Sequence, residues 1–444
     1  MSAADAAEHL SAPERAEEAR RVVLSSYLGS TLEYYDFLLY GTAASLVFGP
    51  VFFSDLPPAA GTIASLGTFA AGYLARPVGG ILFGHFGDRA GRKAMLILAM
   101  TVMGVASVLI GLVPPASVIG PWAAIILVTL RVFQGVAIGG EWGGAALMAL
   151  EHAEPRRRGY MAAFTNAGAP TGAVLGTLVM TLFALLPEDE FMLWGWRIPF
   201  LLSAVMLAIG LFVRNKVSES PVFRAAAERA DADRAESKKD ILPIAGVLRR
   251  PKVVLLAAVA CLASFALQTA FTTFGITYAV DHGTPKPDAL LGFAIGQFFA
   301  IFFILGYARL SDRFGRRPVM LFGLGAMIVL VFPTLQLLAT GSFAAVAFAF
   351  TLFTFCHGAT YGPMAAYISE QFGTRTRYTG ASLGYQLATL LGGGFTPVIL
   401  ASLAATSGNS VVPVGGFIIA LGILSGVALL ATRETKDNDL TAVQ

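Results

Sequence analysis

Runs of about twenty predominantly apolar residues, long enough to cross a hydrocarbon core of roughly 30 Å, recur along almost the entire chain. Twelve are counted, at 22–53, 59–87, 93–113, 120–150, 157–186, 195–214, 251–281, 289–308, 317–339, 341–370, 376–405 and 411–432. Each is expected to be a transmembrane helix, because a helix satisfies its own backbone hydrogen bonds in lipid. The longest polar interruption, RNKVSESPVFRAAAERADADRAESKKDILPIAGVLRRPK, falls between spans six and seven and alternates in charge, as a surface helix would. The pattern predicts an all-α polytopic membrane protein with a tail at 1–21, a six-helix bundle at 22–214, a linker at 215–250, a second bundle at 251–432 and a tail at 433–444.

The halves echo each other. GDRAGRK at 87–93 returns as SDRFGRR at 311–317, offset by 224 residues, after the second span of each half. EHAEPRRR, Glu151 to Arg158, returns as EQFGTRTR, Glu370 to Arg377, offset by 219, after the fourth span of each half. Such an offset is too long for a solenoid period and indicates a duplicated bundle. Two bundles in one orientation make a carrier with its site between them near the midplane.

Composition agrees with the pattern. Of 444 residues, 56% are hydrophobic and only 13% charged, with mean hydropathy +0.69; an average soluble domain carries roughly 25% charged residues. Net charge is +3, but its distribution says more: of 31 Lys and Arg, all but Arg76, Arg131, Arg197 and Lys286 fall in the N-terminal segment, the even-to-odd connections and the C-terminal tail. The positive-inside rule therefore places both termini in the cytoplasm. Trp122, Trp194 and Trp196 fall at predicted outer ends, as an aromatic belt requires. The first 21 residues lack an apolar core and do not read as a cleavable signal. Cys261 and Cys356 lie inside spans and imply no disulfide framework.

GHFGDRAGRK resembles the signature loop between the second and third helices of the major facilitator superfamily, and the Glu-x6-Arg echoes resemble those of its sugar-porter-like members. LEYYDFLLYG, ARPVGGILFGHFGDRAGRK, RVFQGVAIGGEWGGA, WGWRIPF and ESPVF together resemble the metabolite:proton symporter family, which includes shikimate, α-ketoglutarate, citrate and proline/betaine carriers. The resemblance covers roughly 22–432, and TRYTGASLGYQLATLLGGGFTP is most similar to the shikimate-type branch. It implies the two-bundle major facilitator fold and proton-coupled symport of a small carboxylate-bearing metabolite across the plasma membrane by alternating access. The coupling ion would be the proton, with no other cofactor. Expected partners are the metabolite, protons and lipid, with no nucleic acid, the chain acting as a monomer.

A candidate cytoplasmic gate comprises Gly84, Asp88, Arg89, Gly91, Arg92, Lys93, Glu151 and Arg158 in the first half, and Asp312, Arg313, Gly315, Arg316, Arg317, Glu370 and Arg377 in the second. Gly84, Gly87 and Gly91 permit close backbone approach and a tight reversal. The family resemblance implies that Asp88 and Asp312 accept bonds from neighbouring helix ends and arginines. Glu151 with Arg158, and Glu370 with Arg377, are expected to join the network as exposed pairs of about 0–1 kcal/mol each. Ala308 and Ser311 stand where the first copy has Gly84 and Gly87, which predicts less close packing in the second half.

Charges inside the spans are the second group. A charge at the bilayer centre costs on the order of 2.5–3.5 kcal/mol even on the mildest scale, yet the first half carries Glu33, Asp36, Arg76, Arg131 and Glu141. At about 1.5 Å per residue, Glu33 and Asp36 lie roughly 15–20 Å from the cytoplasmic start of span one, Arg76 roughly 18 Å above the Asp88 loop and Arg131 about 16 Å below the outer start of span four. Glu33 and Asp36 share a helix face, as do Gln134 and Glu141. Two carboxylates close together in low dielectric do not both ionise easily unless an arginine is adjacent. Glu33, Asp36, Arg76 and Arg131, with Gln134 and Glu141, are therefore read as a proton-coupling and substrate-binding set, with Tyr34 and Tyr35 offering hydroxyls or packing. Asn166 is added to it. The second half supplies Gln268, Gln297, His357, Tyr361, Tyr385 and Gln386, with no ionisable pair at that depth, so proton handling is assigned to the first bundle.

Gly168, Gly172 and Gly176 read as close helix packing. Because Ala169 precedes Pro170, the glycine–proline order of an antiport motif is broken, leaving drug antiport the weaker reading. No phosphate loop, His-Glu-x-x-His or large soluble domain is present, so no catalytic or metal site is expected and an enzyme or ATP-driven pump is disfavoured. No selectivity filter suggests a channel. A zwitterionic-osmolyte carrier is the alternative, although ATRETKDNDLTAVQ is too short for the coiled coil that a proline/betaine carrier leads one to expect. A non-transporting sensor is the remaining class.

Overall fold

A computed structural model describes residues 12–217, 243–249, 251–396, 399–400, 402–403, 410–438 and 440. Most of the interbundle linker lies outside the described residues. Twelve long helical elements are present among those described. The first bundle contains α1 (Ala12–Leu46), α2 (Pro58–Ala90), α3 (Arg92–Leu112), α4 (Trp122–Glu151), α5 (Arg158–Phe183) and α6 (Arg197–Asn215). The second contains α7 (Pro251–Thr269), α8 (Lys286–Phe314), α9 (Arg316–Leu338), α10 (Phe343–Glu370), α11 (Arg377–Ala388) and α12 (Val412–Ala431). α7 and α11 run on into π-helical turns, Ala270–Gly275 and Thr389–Gly394, at places where a straight helix is interrupted. The chain is a multi-pass membrane protein of two pseudo-symmetric six-helix bundles, and large apolar side chains such as Leu74, Leu82, Phe302, Val329 and Val427 cover its outer surface.

α1 starts at Ala12, ahead of the apolar run that begins at 22. Its polar opening turns are helical, and Arg21 Nη2 donates to Glu17 Oε1 one turn back at 2.5 Å, a pairing helices favour. Gly91 alone separates α2 from α3, and Gly315 alone separates α8 from α9. Both take a φ of +106°, where a side chain would be strained, so the repeat seen in sequence is also a repeat of backbone shape.

The glycines of α5 pack as expected. A methyl at Gly168, Gly172 or Gly176 would run into the α1 backbone near Tyr27, Thr31 and Tyr35. Trp122 and Trp194 are exposed, but Trp196 is 0% exposed and packs against Phe48, Phe52 and Phe200. Trp196 is thus a core anchor and not part of an aromatic belt; depth along a helix does not fix which way a side chain points. Cys261 and Cys356 are buried and form no disulfide.

The bundles meet along α2 with α11 and α5 with α8 and α10. The first two of these pairs are exchanged by the internal symmetry, and they bring the repeated loops of one half against helix starts of the other.

Candidate functional site

Inside the first bundle, Glu33 and Asp36 project from α1 with 3% and 5% exposure. Ser203 Oγ on α6 donates to Asp36 Oδ1 at 2.6 Å. Across from them, the Arg76 guanidinium of α2 lies 4.7 Å from the Phe37 ring centre and 4.4 Å from that of Tyr73. The Arg131 guanidinium of α4 lies 4.0 Å from the Tyr40 ring and 5.3 Å from Phe37, and its Nη1 donates to Gln134 Oε1 at 3.2 Å. Gln134 Nε2 in turn donates to Ser107 Oγ at 2.7 Å. Phe37 therefore stands between two buried guanidiniums, an arrangement in which cation–π attraction replaces part of their lost hydration. Arg76 acts electrostatically on Glu33 and Arg131 on Asp36.

Sequence reading does not single out a third arginine. Arg214, at the end of α6, reads as one more cation of the polar linker, yet it is 3% exposed and donates from Nη2 to Glu141 Oε1 and from Nη1 to the Leu96 carbonyl, both at 2.6 Å. Ser203, Ser107, Tyr40 and Tyr73 are likewise missed. Ser203 and Arg214 are eleven residues apart, three helical turns, so one polar face of α6 was the available signal.

Toward the second bundle the groups are neutral. Tyr34, Tyr361 and Tyr385 form a chain of hydroxyls, 3.3 Å and then 3.1 Å apart, that crosses from one half to the other. Asn166 Nδ2 donates to the Tyr361 carbonyl at 2.6 Å, and its Oδ1 accepts from Trp142 Nε1 at 2.8 Å. Trp142 stacks on Tyr385 with ring centres 3.6 Å apart, and Gln386 Nε2 donates to the Gly139 carbonyl at 3.1 Å. His357 stacks on Tyr361 at 4.8 Å. Gln297 is buried and Gln268 half-buried. Tyr35 lies apart from this group: its hydroxyl donates to the Pro199 carbonyl at 2.8 Å, inside the bundle. Trp142 escapes sequence reading, although an indole set within GGEWGG is itself a sign that small residues make room for something large.

The basic end of the molecule is closed by two related clasps. Asp88 of α2 accepts from Tyr378 N at 3.2 Å, Thr379 N at 3.0 Å and Thr379 Oγ1 at 2.8 Å, at the N-terminus of α11. Asp312 of α8 accepts from Gly159 N and Tyr160 N, both at 2.8 Å, at the N-terminus of α5, and from Arg316 Nη1 at 2.6 Å. Each carboxylate thus caps a helix of the opposite bundle, where orphan amides and the helix dipole favour an anion. The second clasp is not looser than the first. Ala308 and Ser311 are both 0% exposed, because the close approach that Gly84 and Gly87 give α2 comes instead from Gly159 on the facing helix.

The Glu-x6-Arg partners are also exchanged. Glu151 is clamped between Arg92 and Arg377, the latter 3.0 Å away in the other bundle. Glu370 binds Arg316 at 3.0 Å and accepts from Thr435 Oγ1 at 2.7 Å. Arg158 donates to the Asn438 carbonyl at 2.9 Å, and Arg377 to that of Leu440 at 2.9 Å. These pairs are buried, with side-chain exposures of 0–2%, and not the exposed pairs expected, since the close-packed helix ends exclude water from them. Arg89 and Arg313 remain exposed, Arg317 donates to the Leu430 carbonyl, and Lys93 donates to the Asn215 carbonyl.

Asp88→Asn keeps the size of the side chain but removes its charge from the α11 N-terminus, a change of about 0.3–2 kcal/mol for such sites. Uptake in proteoliposomes is expected to slow several-fold while ligand-induced thermal stabilisation stays near wild type. Unchanged turnover would show that this clasp does not limit the transport cycle.

A family model described as Major Facilitator Superfamily matches residues 26–397 and 300–442. The shikimate transporter of Escherichia coli K12 is 39% identical over 422 residues, covering 94% of this chain and 95% of that protein. The proline/betaine transporter of the same strain is 30% identical over 434 residues, covering 95% of this chain and 85% of that protein. Among solved structures, the proton:xylose symporter XylE bound to 6-bromo-6-deoxy-D-glucose superposes with a TM-score of 0.77 at 19% identity, covering 96% of this chain and 98% of that one.

Proposed function

Because this chain belongs to the Major Facilitator Superfamily, we propose that it carries a small carboxylate-bearing metabolite together with a proton across the bacterial plasma membrane. The observation that supports this reading best is that two buried carboxylates, Glu33 and Asp36, share one bundle with two buried guanidiniums, Arg76 and Arg131, which act on them electrostatically. A carboxylate next to a fixed cation holds a proton or releases it according to what else neutralises that cation. An incoming substrate carboxylate that binds Arg76 removes the countercharge from Glu33, and Glu33 then takes a proton. Binding of the anion and binding of the proton are linked in this way, and by linkage each strengthens the other.

The second bundle contributes shape and hydrogen bonds through Tyr361, Tyr385, Gln268 and Gln297. The basic end is the cytoplasmic one by the positive-inside rule. The structure, with both clasps made, then corresponds to a carrier shut on the cytoplasmic side. Relatives named for shikimate and for proline/betaine leave two substrate classes. The guanidiniums favour the first, since the aromatic faces of Phe37, Tyr40 and Tyr73 that a quaternary ammonium would need already hold arginines.

Proteoliposomes with an alkaline lumen and an acidic exterior test the reading against shikimate, 2-oxoglutarate, citrate, proline and betaine. One or more of the acids is expected to accumulate, and a protonophore to abolish the accumulation. Accumulation of proline or betaine alone would favour the osmolyte carrier, and binding without accumulation a sensor; either result overturns the proposal.

A further inference from the structure

Val22, Ser26, Gly29, Glu33 and Asp36 recur at three- and four-residue intervals and so share one face of α1. Most of this face turns toward α4 and α6, while Glu33 also acts electrostatically on Tyr361 and Tyr385 of the second bundle. A methyl at Gly29 would collide with Arg214 Nη2 and Glu141 Oε1, so the missing side chain is the space in which that ion pair sits. Glu141 is 0% exposed and Glu33 3% exposed, and among the described residues the Oε2 of neither has a hydrogen-bond partner. An unpartnered oxygen on a buried carboxylate costs several kcal/mol unless it carries a proton or meets water. Two such oxygens occur along the same polar file. Glu141 acts electrostatically on Glu33, together with Arg76 and Arg214.

Below this pair lies a crevice lined by Ser25, Ser26, Lys93, Leu96, Arg214 and Val217, with a volume of about 10 Å³, at the lower limit of what holds one water molecule. Ser26 Oγ donates to the Ala145 carbonyl, one turn beyond Glu141, at 3.0 Å. Lys93, bonded to the Asn215 carbonyl at 3.0 Å, marks the surface end. From Glu33 to Ser26 the distance along the helix is about 10 Å at ~1.5 Å per residue.

We propose that Glu141, held by Arg214, is a second proton site through which the proton bound at Glu33 leaves for the cytoplasm, along the interior of the first bundle and not through the cavity between bundles. The proposal rests on the proton coupling assigned above. Glu33 gives its proton to the Glu141 carboxylate and becomes a carboxylate facing Arg76; Glu141, now neutral, gives the proton to water in the crevice and re-forms its ion pair. Arg214 keeps its own protons throughout and serves to return Glu141 to the charged form. The charged and titratable groups that face Glu141 are Glu33 and Asp36 on α1, Arg214 on α6 and Tyr378 on α11, whose hydroxyl donates to the Gly140 carbonyl at 2.9 Å. This route explains why the acidic pair and the arginine-held acid lie in the same half: the release path need not cross the moving interface.

The alternative is a static ion pair that only fixes α4 to α6, and the double variant E141Q/R214Q separates the two. It removes both charges together, which avoids the uncompensated buried arginine that Glu141→Gln alone would leave. With shikimate, 2-oxoglutarate and citrate as the probes, wild-type vesicles report on the carrier reading: proton-driven accumulation of none of the three overturns the proposed function itself. Given wild-type accumulation, the relay predicts that E141Q/R214Q falls at least tenfold in proton-driven accumulation. Exchange of the acid that wild type accumulates continues at a measurable rate at equal pH and loses its pH dependence, and Glu141→Asp retains accumulation. Wild-type accumulation and pH profile in E141Q/R214Q would show a static pair and overturn the inference.

Discussion

Vesicles bearing Glu33→Gln or Asp36→Asn are expected to lose proton-driven uphill uptake, with accumulation falling at least tenfold toward the level set by passive equilibration. The two changes are nearly isosteric, so packing of α1 against α5 and α6 is kept while the titrating oxygen is lost. Substrate exchange at equal pH on both sides does not require net proton movement and should persist more in these variants than uphill uptake does. The two positions differ in one respect. Asp36 is held by Ser203 at 2.6 Å, and the amide introduced by Asp36→Asn can retain that bond through its carbonyl oxygen, whereas no such bond holds Glu33 Oε2 among the described residues. Loss of coupling in both variants would place the proton site on the pair, and loss in one alone would place it on that residue. Wild-type accumulation in both would reduce the pair to a packing device and remove the main support for proton symport.

Much of this architecture was legible in the sequence because lipid imposes a simple code. Each span must be apolar over its whole length, so twelve spans stand out, and a charge within one is costly enough to need a purpose, which singled out Glu33, Asp36, Arg76 and Arg131. The echo of GDRAGRK in SDRFGRR revealed the symmetry, and the shared φ of +106° at Gly91 and Gly315 shows what that symmetry preserves. Pairing was not legible. Periodicity tells which residues share a face but not which helix stands opposite, so Glu151 was assigned to Arg158 on its own loop when its partners are Arg92 and Arg377. Arg214 was hidden for a related reason: a cation at a cytoplasmic helix end satisfies the positive-inside rule whether it points to solvent or inward. The exchange of glycine between Gly84 and Gly159 was invisible to any comparison of one loop with its copy, because the compensation lies on the facing helix.

Glu151→Gln is the substitution expected to move the conformational equilibrium most. Its carboxylate is the countercharge shared by Arg92 and Arg377, and all three side chains are 0–2% exposed. Truncating one member of such a buried set costs about 3–5 kcal/mol, because the remaining guanidiniums are left desolvated without that charge between them. Arg377 belongs to the other bundle, so separating the bundles at this end rehydrates it, and the cost falls on the state closed at this end. A bias of this size shifts a two-state equilibrium by roughly two to nearly four orders of magnitude, against the roughly 10⁴-fold needed to take it from 1:99 to 99:1. Spin labels at the exposed positions Arg156 and Phe314, introduced as Arg156→Cys and Phe314→Cys, report the opening as a longer distance between α5 and α8; the native cysteines are buried. Glu154→Gln is the control. Glu154 is 79% exposed and 4.0 Å from Arg157, a solvated pair worth at most about 1 kcal/mol, and its loss should leave the distance unchanged. If Glu151→Gln also leaves the distance unchanged, the buried crossing of charges between the halves is not what holds this end shut, and that task falls to the two helix-capping aspartates.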